Sequence, residues 1–309
     1  MSTIIDVVLP IFGLILVGYL CRRTNRLGAT ASSEISRFVV WLALPALLFK
    51  VTATATWEQI WQPGFVASLT LAWTLLFAAT VAYRVRQQHT VVDACIDGLS
   101  TTYANTGFMG IPLCVLVFGE KGLVPAVVAT LIVACILFGI GIILVEISLQ
   151  AEKHPLRAAA KVGKALAGNP LIISPVLGGF WALSGIPLPA AMNQFLSLLG
   201  MAASPCALVS LGLLLAQRQQ GRCEGTAKLV LAKLLLQPLI TAFFAFYVFD
   251  LPKFWANSAL LLSVLPTGTG PFMLASFYER NAALASRVIL FTTIGSIVTI
   301  SVCLYVLGS

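Results

Sequence analysis

Long apolar runs, each about 20 residues and divided by short polar stretches, recur along the whole 309-residue chain. A run of that length spans the hydrocarbon core of a bilayer as a helix. The pattern predicts ten spans, with approximate limits 4–20, 35–53, 63–83, 92–118, 123–148, 166–184, 191–216, 227–249, 255–278 and 284–307. The first run, Ile4 to Leu20, has no basic segment ahead of it and carries Asp6. It also lacks a small-x-small cleavage pattern before Cys21-Arg22-Arg23, so it is predicted to be span 1 rather than a removable signal.

Two spans depart from the uniform pattern. Span 4 holds Thr102-Tyr103-Ala104-Asn105-Thr106-Gly107-Phe108-Met109-Gly110-Ile111-Pro112-Leu113, and span 9 holds Leu265-Pro266-Thr267-Gly268-Thr269-Gly270-Pro271-Phe272. Pro112 and Pro271 lack an N–H and clash with the carbonyl four residues back, while the glycines weaken a helix and permit unusual backbone angles. Both spans are therefore predicted to be interrupted. The N–H and C=O groups freed by an interruption each cost several kcal/mol in hydrocarbon, so such backbone belongs where protein buries it or water reaches it. Two half-helix N-termini brought together near the midplane suit a carboxylate. Thr106, Thr267 and Thr269 offer hydroxyls, and the Asn105 amide offers donors to substrate or to freed backbone. Phe108 and Phe272 flank the interruptions and either wall the site or pack.

Composition settles the class. With 59% hydrophobic and 10% charged residues and a mean hydropathy of +0.97, too little polar surface remains to cover a soluble globule. Charge gives the topology: 16 of the 19 basic residues fall on one side of the predicted spans, leaving Lys50, Lys121 and Lys253 on the other. The basic side, which includes Arg84, Arg86, Lys228 and Lys233 at span ends, is the cytoplasmic one, and both termini lie outside it. The net charge of +8 is thus a topology signal and not a nucleic-acid footprint. The longest basic segment divides the chain into five spans (1–149), a cytoplasmic linker (150–164) and five more spans (165–309). An odd number of crossings per half sets the halves in opposite orientations. Ala43-Leu44-Pro45-Ala46 in span 2 echoes Ala203-Ser204-Pro205-Cys206 in span 7, and Phe108-Met109 echoes Phe272-Met273.

The motifs NTGFMGIPL, LALPALLF in span 2, GNPLII at the start of span 6, and LPTGTGPFMLASFY in span 9 resemble the auxin efflux carrier family of membrane transporters, which includes bacterial malonate carriers. The resemblance covers essentially the whole chain in the same order. It implies an all-α integral membrane protein of ten helices in two inverted five-helix repeats, with spans 1, 2, 6 and 7 as a scaffold and spans 3–5 and 8–10 as a moving transport domain. It also implies that spans 4 and 9 cross at their broken middles, with family prolines matching Pro112 and either Pro266 or Pro271. The substrate-binding set that follows is Asn105, Thr106, Gly107, Phe108, Pro112, Pro266, Thr267, Gly268, Thr269, Gly270 and Pro271. A homodimer through the scaffold, residence in the bacterial inner membrane and alternating access are further implications.

Gly270, where many relatives carry asparagine, resembles the malonate carriers most; with no side chain it is expected to open room and bare one more N–H for a compact dicarboxylate. The alternative is an efflux carrier of monocarboxylates such as indole acids. Importing a dianion against about 100 mV costs roughly 4.6 kcal/mol, so uptake calls for a coupling ion, H+ or Na+. Among carboxylates, Asp97 and Asp93 lie one turn apart on span 4, and Asp97 continues through Thr101 in a polar stripe towards the interruption. Asp6 and Glu146 sit near span ends. Sodium would instead use carbonyls and hydroxyls around Asn105 and Thr267.

Enzyme chemistry finds no footing. His89 and His154 both fall in predicted loops, no GxSxG, HExxH or P-loop occurs, and seven cysteines form no CxxC pair. No metal or cofactor is expected. Trp41, Trp57, Trp61 and Trp255 lie near span ends, where indoles anchor at the interface. A channel would need polar lining over several spans, and a non-transporting receptor or a membrane enzyme would need an appended domain or reactive pair.

Overall fold

In the computed structural model, the helices are shaped by their prolines. Five wide, π-type turns occur among the described residues, and three of them end two residues ahead of a proline: Val39–Ala43 before Pro45, Thr106–Gly110 before Pro112, and Ala232–Leu236 before Pro238; Ile132–Leu137 and Phe243–Val248 have no such proline. Proline removes the N–H that the carbonyl four residues back would accept, and its ring crowds that carbonyl. The residue before the proline bonds five residues back instead, as Leu44 does to Val39 and Gln237 to Ala232, so the helix widens and continues. Pro112 therefore lies in the helix that follows the interruption and does not create it.

The structure describes residues 2–28, 30–54, 56, 62–149, 163, 168, 170–217, 225–280 and 282–308. Trp57, Trp61 and the expected linker at 150–164, save Gly163, lie outside the described residues. Among those described, every regular element is helical. Among the described residues, six helices are long and apolar enough to cross a membrane: Ala31–Thr54, Pro63–Arg86, Thr106–Ser148, Ala190–Leu215, Thr226–Val248 and Ala282–Gly308. Shorter apolar pieces include Pro170–Leu183, Val91–Thr102, Lys253–Ser263 and Gly270–Phe277. Large apolar side chains such as Leu239, Phe277 and Tyr247 lie outward at 65%, 77% and 81% exposure, which suits lipid and not water.

The chain forms two compact units. The first gathers Met1–Gln62, Gly107–Val128 and Gly168–Arg218. In it the Ser2–Arg23 helix lies along Ala203–Leu215, and two glycines set the approach. A Cβ on Gly18 would strike the Val209 carbonyl and one on Gly212 the Ile15 carbonyl, so the helices meet backbone to backbone as small residues allow in membranes. Ser32 Oγ donates to Ser210 O at 3.1 Å and Lys50 Nζ to Ser197 Oγ at 2.7 Å.

The second unit gathers Pro63–Thr106, Ala129–Ala167 and Gln219–Ser309. Its centre is Trp73, fully buried, whose Nε1 donates to Thr241 Oγ1 at 3.1 Å. Pro63–Arg86 packs on Val91–Thr102, which in turn meets Phe138–Ser148 and Gly270–Phe277.

Candidate functional site

Both spans are interrupted: the second break contains Pro266 and Gly268, whereas the first lies just ahead of Gly107, Gly110 and Pro112, which are all helical. The Val91–Thr102 helix stops, Tyr103 to Asn105 run non-helically, and helix resumes at Thr106. Lys253–Ser263 stops likewise, and helix resumes at Gly270 with Pro271 in its first turn, where a missing N–H costs nothing. The two breaks pair with each other within the second unit. Ala104 and Thr267 form an antiparallel bridge; Asn105 N donates to Pro266 O at 2.9 Å, and Gly268 N donates to Tyr103 O at 2.8 Å.

Three carbonyls at the end of the first helix have partners. Leu99 O accepts Tyr103 N at 2.7 Å, Ser100 O accepts the Thr267 hydroxyl at 2.6 Å, and Thr102 O accepts Gln237 Nε2 at 2.9 Å. Thr267 N in turn donates to Thr292 Oγ1 at 3.1 Å. The single hydroxyl proton of Thr267 is thus committed to Ser100, and the role this side chain performs is to hold the breaks together. Among the described residues, one buried side-chain donor at the breaks is left over. Asn105 is 5% exposed and its Nδ2 is buried without an acceptor, a state that costs about 1–3 kcal/mol unless a ligand supplies one.

Gly270 does not open room. A Cβ there would lie 2.6 Å from Tyr103 Cζ and 2.7 Å from Cε2, and one on Gly268 would lie 3.1 Å from Cδ1 and Cε1. The Tyr103 ring occupies the space that both glycines vacate, and Phe138 packs edge-on against that ring at 5.8 Å. This corrects the expectation attached to Gly270: its missing side chain accommodates an aromatic ring of the protein itself.

Of the remaining predicted residues, Thr106 is buried, and Thr269 and Phe272 are half-buried in the second unit. Gly107, Phe108 and Pro112 belong to the first unit, whose boundary with the second in this helix falls between Thr106 and Gly107. The polar stripe on Val91–Thr102 turns out to face Pro63–Arg86. Asp97 accepts from Arg84 Nε at 2.6 Å, both side chains less than a tenth exposed, and Thr101 shares a hydrogen bond with Thr80 at 3.1 Å. Asp93 sits in the first turn, capped by Thr90, and takes a two-pronged contact from Arg280 at 2.8 and 2.6 Å. Glu146 accepts from the Tyr278 hydroxyl at 2.7 Å, and Asp6 is exposed.

Comparison with known proteins gives this geometry a family. The model of the family described as membrane transport protein matches residues 3–304. The chain belongs to this family. Among curated relatives, a putative malonate transporter of Rhizobium meliloti (strain 1021) is 30% identical, covering 100% of this chain and 97% of the relative. An uncharacterized transporter of Methanothermobacter thermautotrophicus is 27% identical over 96% of this chain and 95% of its own. The uncharacterized transporter YfdV of Escherichia coli (strain K12) is 25% identical over 96% of each. The membrane transport protein family is thus the one that the span 4 and span 9 motifs resembled, auxin efflux carriers included.

Three residues that hold the breaks of this membrane transport protein escaped sequence reasoning. Tyr103 stood inside the quoted motif but reads as an ordinary aromatic at a helix end. Gln237 and Thr292 lie well over 100 residues from the carbonyl and amide they serve in the first case, and 25 residues away in the second. A glutamine and a threonine in apolar runs are the signal that was available.

Proposed function

We propose that the protein is a secondary active transporter of a small organic anion, malonate or a similar dicarboxylate, working by alternating access with a proton or sodium ion as the coupling ion. The observation that carries this reading is the buried, unpartnered amide of Asn105, set on a pair of interrupted helices that are bridged to each other through backbone groups. A carboxylate oxygen is the acceptor that amide lacks. Each break is followed by a half-helix N-terminus, which favours an anion by about 0.3–1 kcal/mol or more when partly buried. The Tyr103 ring beside Gly268 and Gly270 narrows the space, which favours a short anion over a bulky indole acid. The name of the Rhizobium relative points the same way.

The architecture that goes with this function has ten crossings in two inverted repeats, scaffold spans 1, 2, 6 and 7, a transport domain of spans 3–5 and 8–10, and a homodimer through the scaffold. The membrane is the bacterial inner membrane, with both termini on its outer face. The test is a thermal-shift and binding screen of the purified protein against malonate, longer dicarboxylates, monocarboxylates and indole acids. Malonate is expected to stabilise it, and Asn105→Ala is expected to lose roughly tenfold in affinity, the worth of one hydrogen bond to a charged group, while folding normally. An unchanged affinity in Asn105→Ala places the site elsewhere.

A further inference from the structure

Lys233 is the one basic residue that the topology count misplaces most. Counted among the cytoplasmic span ends, it lies seven residues inside the Thr226–Val248 helix, about 10 Å along its axis, and is fully buried at 0% exposure. It occupies the wide turn that precedes Pro238; such turns recur at functional sites. Its Nζ donates to Gln237 Oε1 one turn on. The Gln237 amide then passes the chain onward through Nε2 to Thr102 O, the last helical residue before the first break. A neutral amide is a poor partner for a buried cation, since an unpaired charge away from water costs several kcal/mol.

The charged groups on the neighbouring elements are engaged elsewhere or carry the same sign. Within its own helix, Lys228 donates to the Tyr83 hydroxyl at 2.8 Å. On Val91–Thr102, Asp97 is matched by Arg84 and Asp93 by Arg280. On Ala282–Gly308 the charged side chain is Arg287. No carboxylate pairs with Lys233 among the described residues. Both expected carriers of coupling charge, Asp97 and Asp93, are therefore held by arginines, whereas the amine at Lys233 has an open demand for an anion.

We propose that Lys233 is the coupling group of the transporter: it takes a proton from water as the anion enters at the breaks and returns it when the anion leaves, so that one proton travels with each anion. An N–H bond forms at Nζ on loading and breaks on release, with no other chemistry. The carrier is thus charged only when the substrate's own negative charge is nearby, and Gln237 links the two events by a hydrogen-bonded chain to the break. This rests on the anion-transport reading above and names its coupling ion as H+.

The experiment uses the full-length protein in proteoliposomes with labelled malonate and the voltage clamped to zero. With one proton per anion, an inward gradient of about one pH unit concentrates malonate roughly tenfold in wild type. Lys233→Met, similar in volume, is expected to keep malonate exchange at equal pH, where no net proton moves, and to lose the gradient-driven accumulation. Calorimetry in two buffers of different ionisation enthalpy is expected to count about one proton taken up per malonate bound, and none in Lys233→Arg, which is permanently charged. Gradient-driven accumulation by Lys233→Met equal to wild type overturns the proposal, as does a wild-type proton count of zero; the latter decides even where the variants fail to fold. Wild-type exchange without proton uptake removes only the role of Lys233. A wild type that neither binds nor exchanges any short dicarboxylate removes the transport reading as well.

Discussion

Gly270→Ala tests the contact between the second break and the Tyr103 ring. The added methyl would lie 2.6, 2.7 and 2.9 Å from three ring carbons, whereas carbon atoms rest at about 3.5–4.0 Å. Relief requires the ring to move by close to 1 Å, and Phe138 stands edge-on at 5.8 Å to resist it. Forcing a methyl into such packing costs about 1–3 kcal/mol. Alanine is at the same time a better helix former than glycine by about 1 kcal/mol at most, and Gly270 is the first residue of a helix. The two effects separate in a double-mutant cycle. In wild-type background Gly270→Ala is expected to lower the melting temperature of the purified protein by several degrees. In Tyr103→Ala background the clash is gone, so the same substitution is expected to be neutral or stabilising. A Gly270→Ala effect of equal sign and size in both backgrounds refutes the contact. The cycle also bears on selectivity: Tyr103→Ala is expected to admit longer dicarboxylates in competition with malonate, and an unaltered selectivity removes the ring from the site.

Two further predictions concern stability. Arg84→Met strands the buried Asp97 carboxylate and is expected to cost about 3–5 kcal/mol, while Arg84→Met/Asp97→Leu recovers most of it; melting curves of the three proteins decide, and equal losses in single and double variants sink the pairing argument. Gly212→Ala drives a methyl into the Ile15 carbonyl, whereas Gly13 on the partner helix has nothing within 4 Å. Monodisperse yield by size exclusion is expected to collapse for the first and hold for Gly13→Ala, and equal yields contradict the close approach.

The two breaks were legible because their signal is chemical and local. Asn-Thr-Gly and Pro-Thr-Gly-Thr-Gly disturb an otherwise uniform apolar run, and hydrocarbon tolerates such disturbance only where something repairs it. The repair itself was not legible. Whether Thr267 donates to a substrate or to Ser100 O depends on the distance between two helices, which no local pattern encodes. Asp97 and Thr101 were read as a stripe running towards the break, but a stripe has no direction until its neighbour is known, and Thr80 and Arg84 on the neighbouring helix claim it. Lys233 shows the cost of treating charge as topology alone: a lysine seven residues into a helix weighs the same in a count of loop charges as one in water. Pro112 was read as a breaker, yet it leaves its helix running, as Pro45 and Pro238 do, because a wide turn absorbs each.

The bridge between the breaks is made by peptide groups: Asn105 N to Pro266 O, and Gly268 N to Tyr103 O. Every residue type brings the same carbonyl, and all but proline bring the same amide. A descendant chain can therefore exchange side chains around the two breaks, and with them its cargo, without dismantling the frame that presents them. Identities of 25% and 30% to relatives over nearly their full length are low enough that most side chains have changed, the kind of change a joint made of peptide groups tolerates.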